Sequence, residues 1–131
     1  MIAIPVDLSY LSQARVSQFF GDVAYFALYD DRGEWHCTLP NTARGSGKGL
    51  SRFLADAGVD TVVFRHLGDK LYGWLRHQGI SAFALGDPDT AIGDAVRAVR
   101  ERRLERADDA TIGRLLHPAG PGNGYHCELH D

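Results

Sequence analysis

Three short apolar runs come first in this chain, then a helical stripe, then two further strand-plus-helix pairs, and that order of periodicities leaves an α/β sheet covered on both faces as the fold. Residues 2–6, IAIPV, are continuously apolar and stop at Asp7, as a central strand buried on both faces would. Residues 16–21, VSQFFG, form a short turn or helical piece before a second strand at 23–29. Asp31, Arg32 and Gly33 then turn the chain into a third strand at 34–39, an antiparallel hairpin with the second. Strict alternation along that third strand puts Trp35, Cys37 and Leu39 on one face and His36 and Thr38 on the other, with Cys37 inward.

Leu50, Phe53, Leu54 and Ala57 recur with helical spacing, and Gly58 ends that helix. Residues 60–64 make a fourth strand. A helix carrying Leu71, Trp74 and Leu75 stops at Gly79, and residues 80–85 make a fifth strand. Asp87 as cap and Pro88 at the first helical position open a third helix, whose stripe is Ile92, Ala95, Val96 and Val99. Right-handed crossovers set the fourth and fifth strands parallel to the first and leave the hairpin on its other side. The expectation is a five-stranded mixed sheet of order 3-2-1-4-5 with helices on both faces. Residues 111–117 read as one more short helix.

With 131 residues, 44% of them hydrophobic, the chain has room for one domain. We place it at residues 1–117, followed by a Gly/Pro linker and a flexible His/Cys tail at 118–131. The net charge of −3, with both signs well mixed, lacks the basic footprint of a nucleic-acid binder. No apolar run is long enough to span a membrane, so the expected compartment is the cytoplasm, with Cys37 and Cys127 as thiols.

The stretch RGSGKGLSRFL, residues 44–54, holds the most suggestive chemistry. Gly45, Gly47 and Gly49 let main-chain N–H groups converge at a helix start, Ser46 adds a hydroxyl, and Arg44 and Lys48 add positive charge, so the loop suits an anion. The same glycines also make an ordinary turn, and the residues alone leave both readings open. Arg15, Ser17 and His66 lie on loops that a parallel sheet brings to the same crevice, beside Asp7. His126, Cys127 and His130 form an H-C-x-x-H pattern able to hold zinc, copper or iron, with His117 or Cys37 as a fourth ligand.

Two enzyme readings fail on composition. A phosphate-binding P-loop requires glycine where Thr42 stands and Ser or Thr where Gly49 stands. Two-metal nuclease chemistry requires several clustered carboxylates, whereas Asp7 has only Asp30 and the badly placed Asp60 for company. We therefore expect no catalysis.

Taken together, MIAIPVD, VSQFFGDVAYFALYD, GSGKGLSRFLADAGVDTVVF, HLG and GISAFAL resemble, in order and spacing, the nitrogenase iron-molybdenum cofactor biosynthesis domain of NifX and of the C-terminal region of NifB. The resemblance spans residues 1–104. It implies a ribonuclease H-like fold and a non-catalytic carrier that binds iron–sulfur or molybdenum–iron clusters, with molybdenum–copper sulfide clusters in some small relatives. Cluster assembly or acceptor proteins are the implied partners. One position departs: many members read V-S-x-H-F-G, and Phe19 stands here in place of the histidine. The alternative is an interaction or regulatory domain that binds a protein or a small anion and no cluster.

Overall fold

The structure is a computed structural model that describes residues 1–7, 15–87 and 89–108. The elements run β1 (Ile2–Val6), β2 (Tyr25–Tyr29), β3 (Trp35–Pro40), α1 (Gly47–Asp56), β4 (Thr61–Phe64), α2 (Asp69–His77), β5 (Ser81–Ala84), α3 (Ile92–Arg100) and β6 (Glu105–Arg106). All five residues of β1 are buried, because β1 pairs with β2 antiparallel on one side and β4 parallel on the other, with helices above and below.

Alternate residues of the sheet feed two separate cores. Ala3, Phe26, Leu28, Val62 and Phe64 pack beneath α1 and α2, against Leu50, Leu54, Leu71 and Leu75. Ile2, Ile4, Ala27, Tyr29 and Val63 pack beneath α3, against Ile92, Ala95, Val96 and Val99. The three layers are thus two helices, a sheet and one helix. Phe64 has no exposed surface, and burying such a side chain is worth roughly 1.5–3 kcal/mol. Burial also pushes the Tyr29 hydroxyl above its ordinary pKa.

The strand order is β3-β2-β1-β4-β5-β6, which extends the expected 3-2-1-4-5 by one strand: the sheet has six strands, not five. The sixth pairs antiparallel with β5, Phe83 opposite Arg106 and Ala84 opposite Glu105. It consists of two exposed charged residues on an edge, so no apolar period announces it.

Two local expectations are corrected. Asp87 does not cap α3: its carboxylate accepts from the Asp89 N–H (2.9 Å) and its carbonyl from Thr90, closing a turn, and the helix begins only at Ile92. A bridge between Arg15 and Ala91 and a Val16 N–H to Thr90 carbonyl bond (3.5 Å) hold that stretch extended. Nor does Trp35 share a face with Cys37. A bulge sets Leu28 opposite Cys37 but Tyr29 opposite Trp35, so one extra residue on β3 turns Trp35 to the Thr38 side, where its indole N–H donates to the Thr38 hydroxyl (3.0 Å). Cys37 and Leu39 pack against the α1/α2 core as expected.

All three helices end on the same backbone motif. The N–H of the residue two past the last helical one bonds the carbonyl three residues before it, and the next N–H bonds the carbonyl one further back. Gly58 (φ 87°) and Val59 do this for α1, and Gly79 (φ 79°) and Ile80 for α2, with Val59 and Ile80 buried. After α3 the same positions hold Arg102 (φ 59°) and Arg103. A left-handed arginine costs on the order of 1 kcal/mol relative to glycine.

The expected helix at 111–117, the linker and the tail, and Pro88, lie outside the described residues.

Candidate functional site

In the parallel part of the sheet, β1, β4 and β5 point the same way, and β3, antiparallel to β2, ends beside the start of β2 and the end of β1. Four connections therefore gather at one edge: the loop after β1, the β3–α1 loop, the β4–α2 loop and the β5–α3 loop. The N-termini of α1, α2 and α3 open on this edge, each bringing the positive end of its backbone dipole. Ser46 caps α1, its hydroxyl accepting from the Gly49 N–H at 3.0 Å, whereas Gly68 and Ala91 at the starts of α2 and α3 supply no side-chain cap. The Gly47 and Lys48 N–H groups have no acceptor among the described residues.

The glycines act differently from one another. Gly45 takes φ 84°, the left-handed turn that swings the chain into the helix, with open space around it. Gly47 is buried as the first helical residue. Gly49 permits the cap itself, since a Cβ there would stand 3.0 Å from the Ser46 hydroxyl.

Asn41, which the sequence presents only as part of a polar loop, holds this edge together. Its side-chain N–H groups donate to the carbonyls of Gly21 (3.2 Å) and Val23 (3.0 Å), and its amide oxygen accepts from the Ala43 N–H (3.0 Å). The β1–β2 loop and the glycine loop are thereby joined. Its trace in the sequence is an asparagine directly after the proline that ends β3, a residue type whose side chain readily bonds nearby backbone groups.

Ser17 is only 3% exposed, yet its hydroxyl is fully engaged. It donates to Asp7 (2.9 Å) and accepts from the Phe19 N–H (3.0 Å), while the Ser17 N–H reaches the Pro5 carbonyl (2.8 Å). Ser17 and Asp7 are thus brought together, as a brace for the loop. Phe19 stands out from it, 55% exposed.

Arg15, Arg44 and His66 are exposed at the same edge. Lys48 is drawn elsewhere: its ammonium lies 5.5 Å from the Trp74 ring centre, a cation–π contact across the α1/α2 pair. Carboxylates of Asp69, Asp87 and Asp89 stand on the same loops and helix starts as the cations, so the edge carries both signs. Among the described residues no three His, Cys, Asp or Glu side chains form a metal-ligand group. His126, Cys127 and His130 lie outside the described residues.

The arrangement defines a class: a three-layer α/β domain whose loops and helix starts open on one sheet edge. Residues 1–102 match the family described as dinitrogenase iron-molybdenum cofactor, and the chain belongs to that family. It is 27% identical over 112 residues to an uncharacterized protein of Methanocaldococcus jannaschii, covering 80% of this chain and 89% of that protein. The NMR structure of a NifB-type protein from Thermotoga, assigned to the DUF35 family, matches with 26% identity and a TM-score of 0.65, covering 79% of this chain and 90% of that one. The apo form of the orange protein from Desulfovibrio gigas has the same fold, with a TM-score of 0.71 at 20% identity, 81% of this chain and 91% of that one being covered. No helix among the described residues is long and apolar enough to cross a membrane.

Proposed function

We propose that the protein is a non-catalytic carrier of an anionic iron–sulfur or molybdenum-containing sulfide cluster, handed over between cluster assembly and acceptor proteins. The observation that carries this reading is the family match across residues 1–102, a span that contains every described loop of the edge. The fold is taken as ribonuclease H-like, on the strength of the 3-2-1-4-5 order with an antiparallel second strand.

The residues present fit an anion better than a bare metal ion. Gly47 and Lys48 offer free N–H groups at the positive end of α1, and Arg15, Arg44 and His66 stand at the same edge. In this reading Gly45, Ser46 and Gly47 shape the cradle, Ser17 fixes the loop opposite, and Lys48 contributes mainly its N–H. Hydrogen bonds to cluster sulfides would hold the cargo loosely enough to pass it on, with His66 as the described residue suited to ligate it. His126, Cys127 and His130 would supply a second, separate metal site.

The test is anaerobic incubation of the full chain with ferrous iron and sulfide, and separately with tetrathiomolybdate and cuprous ion. The expected result is visible absorption and metal bound at a fixed ratio after desalting. A colourless, metal-free protein in both arms sinks the carrier reading. Replacing His66 by Ala should weaken uptake at the edge, and truncation after Pro118 should leave it intact if the tail site is separate.

The second reading, a domain that binds a protein or small anion without a cluster, is favoured by one observation. Phe19 presents an exposed aromatic ring where many relatives carry histidine.

A further inference from the structure

At the opposite end of the sheet, α3 closes on side chains its own backbone does not call for. The bonds from Arg102 N–H to the Val99 carbonyl (3.2 Å) and from Arg103 N–H to the Ala98 carbonyl (2.8 Å) repeat those that end α1 and α2. There the left-handed position is glycine and the next residue is a buried Val59 or Ile80. After α3 the two positions are Arg102, at φ 59°, and Arg103, both exposed. Stability alone favours glycine followed by an apolar residue, so this end spends stability to display two guanidinium groups.

They are not isolated. Residues 97–106 hold five of the chain's fourteen basic residues, Arg97, Arg100, Arg102, Arg103 and Arg106, against Glu101 and Glu105. Arg97 pairs with Asp94 (3.2 Å) and Arg103 with Glu101 (2.8 Å), in exposed pairs that water and salt weaken. Arg100 lies across Gly33 and donates to the Asp31 carbonyl (3.2 Å), tying the patch to the β2–β3 hairpin. Arg106 has contacts of its own. The negative end of the α3 dipole accounts for Arg97 and Arg100 in the last turn. Arg102, two residues past the end, lies in the same field, but its guanidinium has no partner among the described residues.

We propose that the end of α3, centred on Arg102 and Arg103, is a docking surface for an acidic patch on a partner protein. Guanidinium forks match carboxylates two bonds at a time. The chain as a whole carries −3, which repels a long polyanion, whereas a compact carboxylate patch feels only the charges within about one Debye length, roughly 8–10 Å. That favours a protein over a nucleic acid. The surface lies away from the loop edge and goes beyond the carrier reading, since it does not depend on what the edge holds.

The test uses the full chain without added metal and a fluorescein-labelled oligoglutamate peptide, followed by anisotropy at low and at physiological salt. Wild type is expected to bind at low salt and to weaken as salt rises. Arg102→Gly is expected to lose about fivefold in affinity while its melting temperature rises by a few degrees, because glycine relieves the left-handed backbone. Arg102→Lys keeps the charge without the fork, so it should bind more weakly than wild type and more tightly than Arg102→Gly, without the gain in stability. Loss of binding together with higher stability is a pair that a purely structural role for Arg102 does not produce. The proposal is overturned if wild type fails to bind the peptide, if Arg102→Gly binds as tightly as wild type or melts lower, or if a labelled oligouridylate of equal charge binds more tightly than the peptide.

Discussion

The two ends of the sheet are served by the same three helices and are held together by different means. At the loop edge, where the helices start, side chains do the joining: Asn41 spans two loops, Ser17 braces Asp7, and Ser46 caps α1. At the other end the main chain closes each helix by itself, through the paired bonds after α1, α2 and α3. Loops without a ladder must satisfy their buried polar groups with side chains, whereas a helix end can turn back on its own carbonyls. The contrast explains where side chains are free for other tasks. At the loop edge the engaged groups are polar, Asn41 and Ser17 being buried and Asp7 and Ser46 exposed, which leaves N–H groups and exposed cations. At the far end the backbone needs nothing from Arg102 and Arg103.

Substitutions at the two ends should separate these modes, and the largest effect is expected at the loop edge. Asn41→Ala removes three hydrogen bonds from a buried position and should cost on the order of 2–3 kcal/mol in urea unfolding. A loss no larger than that of an exposed Asn would break the claim that side chains hold this edge. Next comes Gly33→Ala at the far end, where φ is 84° and a Cβ would meet the Arg100 side chain at 2.9 Å. Arg100 can swing aside, so the backbone term dominates and about 1–2 kcal/mol should be lost by the same measurement.

Ser46→Ala should cost about 1 kcal/mol and raise amide exchange in the first turn of α1 without touching its last turn. Arg102→Gly should act in the opposite direction, stabilising by about 0.5–1 kcal/mol, since the left-handed position is relieved. The smallest expected effect is a pH dependence in the hairpin. Asp30 is held below the ordinary carboxylate value, chiefly by the Glu34 N–H and also by the Arg32 N–H and guanidinium. A lowered folded-state pKa means that its contribution is present above about pH 4 and is lost as the pH falls through the folded value. Asp30→Asn should flatten the acid limb of the unfolding profile slightly, and an unchanged limb would remove Asp30 from the account.

The strand order of the first five strands, the hairpin and the three helices were legible in the residues, because the first, second, fourth and fifth strands are dense apolar runs, the third alternates, and each helix carries its own stripe. The family was legible from the ordered motifs. What escaped was local and charged. The sixth strand has no apolar residue to betray it, the bulge on β3 adds a residue without changing the pattern, and Asp87 followed by Pro88 reads as a helix start whether or not the chain is pulled extended against Arg15. At the candidate site, Gly45, Ser46 and Gly47 were read correctly as a turn into a helix. The engagement of Ser17 with Asp7, and of Lys48 with Trp74, was not readable, since each depends on a residue distant in sequence or on another helix.

By itself, then, the sequence determined the layers, the order of the first five strands and the edge where the loops meet, because hydrophobic periodicity and right-handed crossovers act along the chain and need no partner to be seen. Only the tertiary structure decided which polar groups at that edge are already satisfied, and that α3 ends on arginines in places where α1 and α2 use glycine and an apolar residue. Hydrogen bonding and left-handed backbone geometry belong to pairs of positions in space, and a list of residues does not record which positions meet.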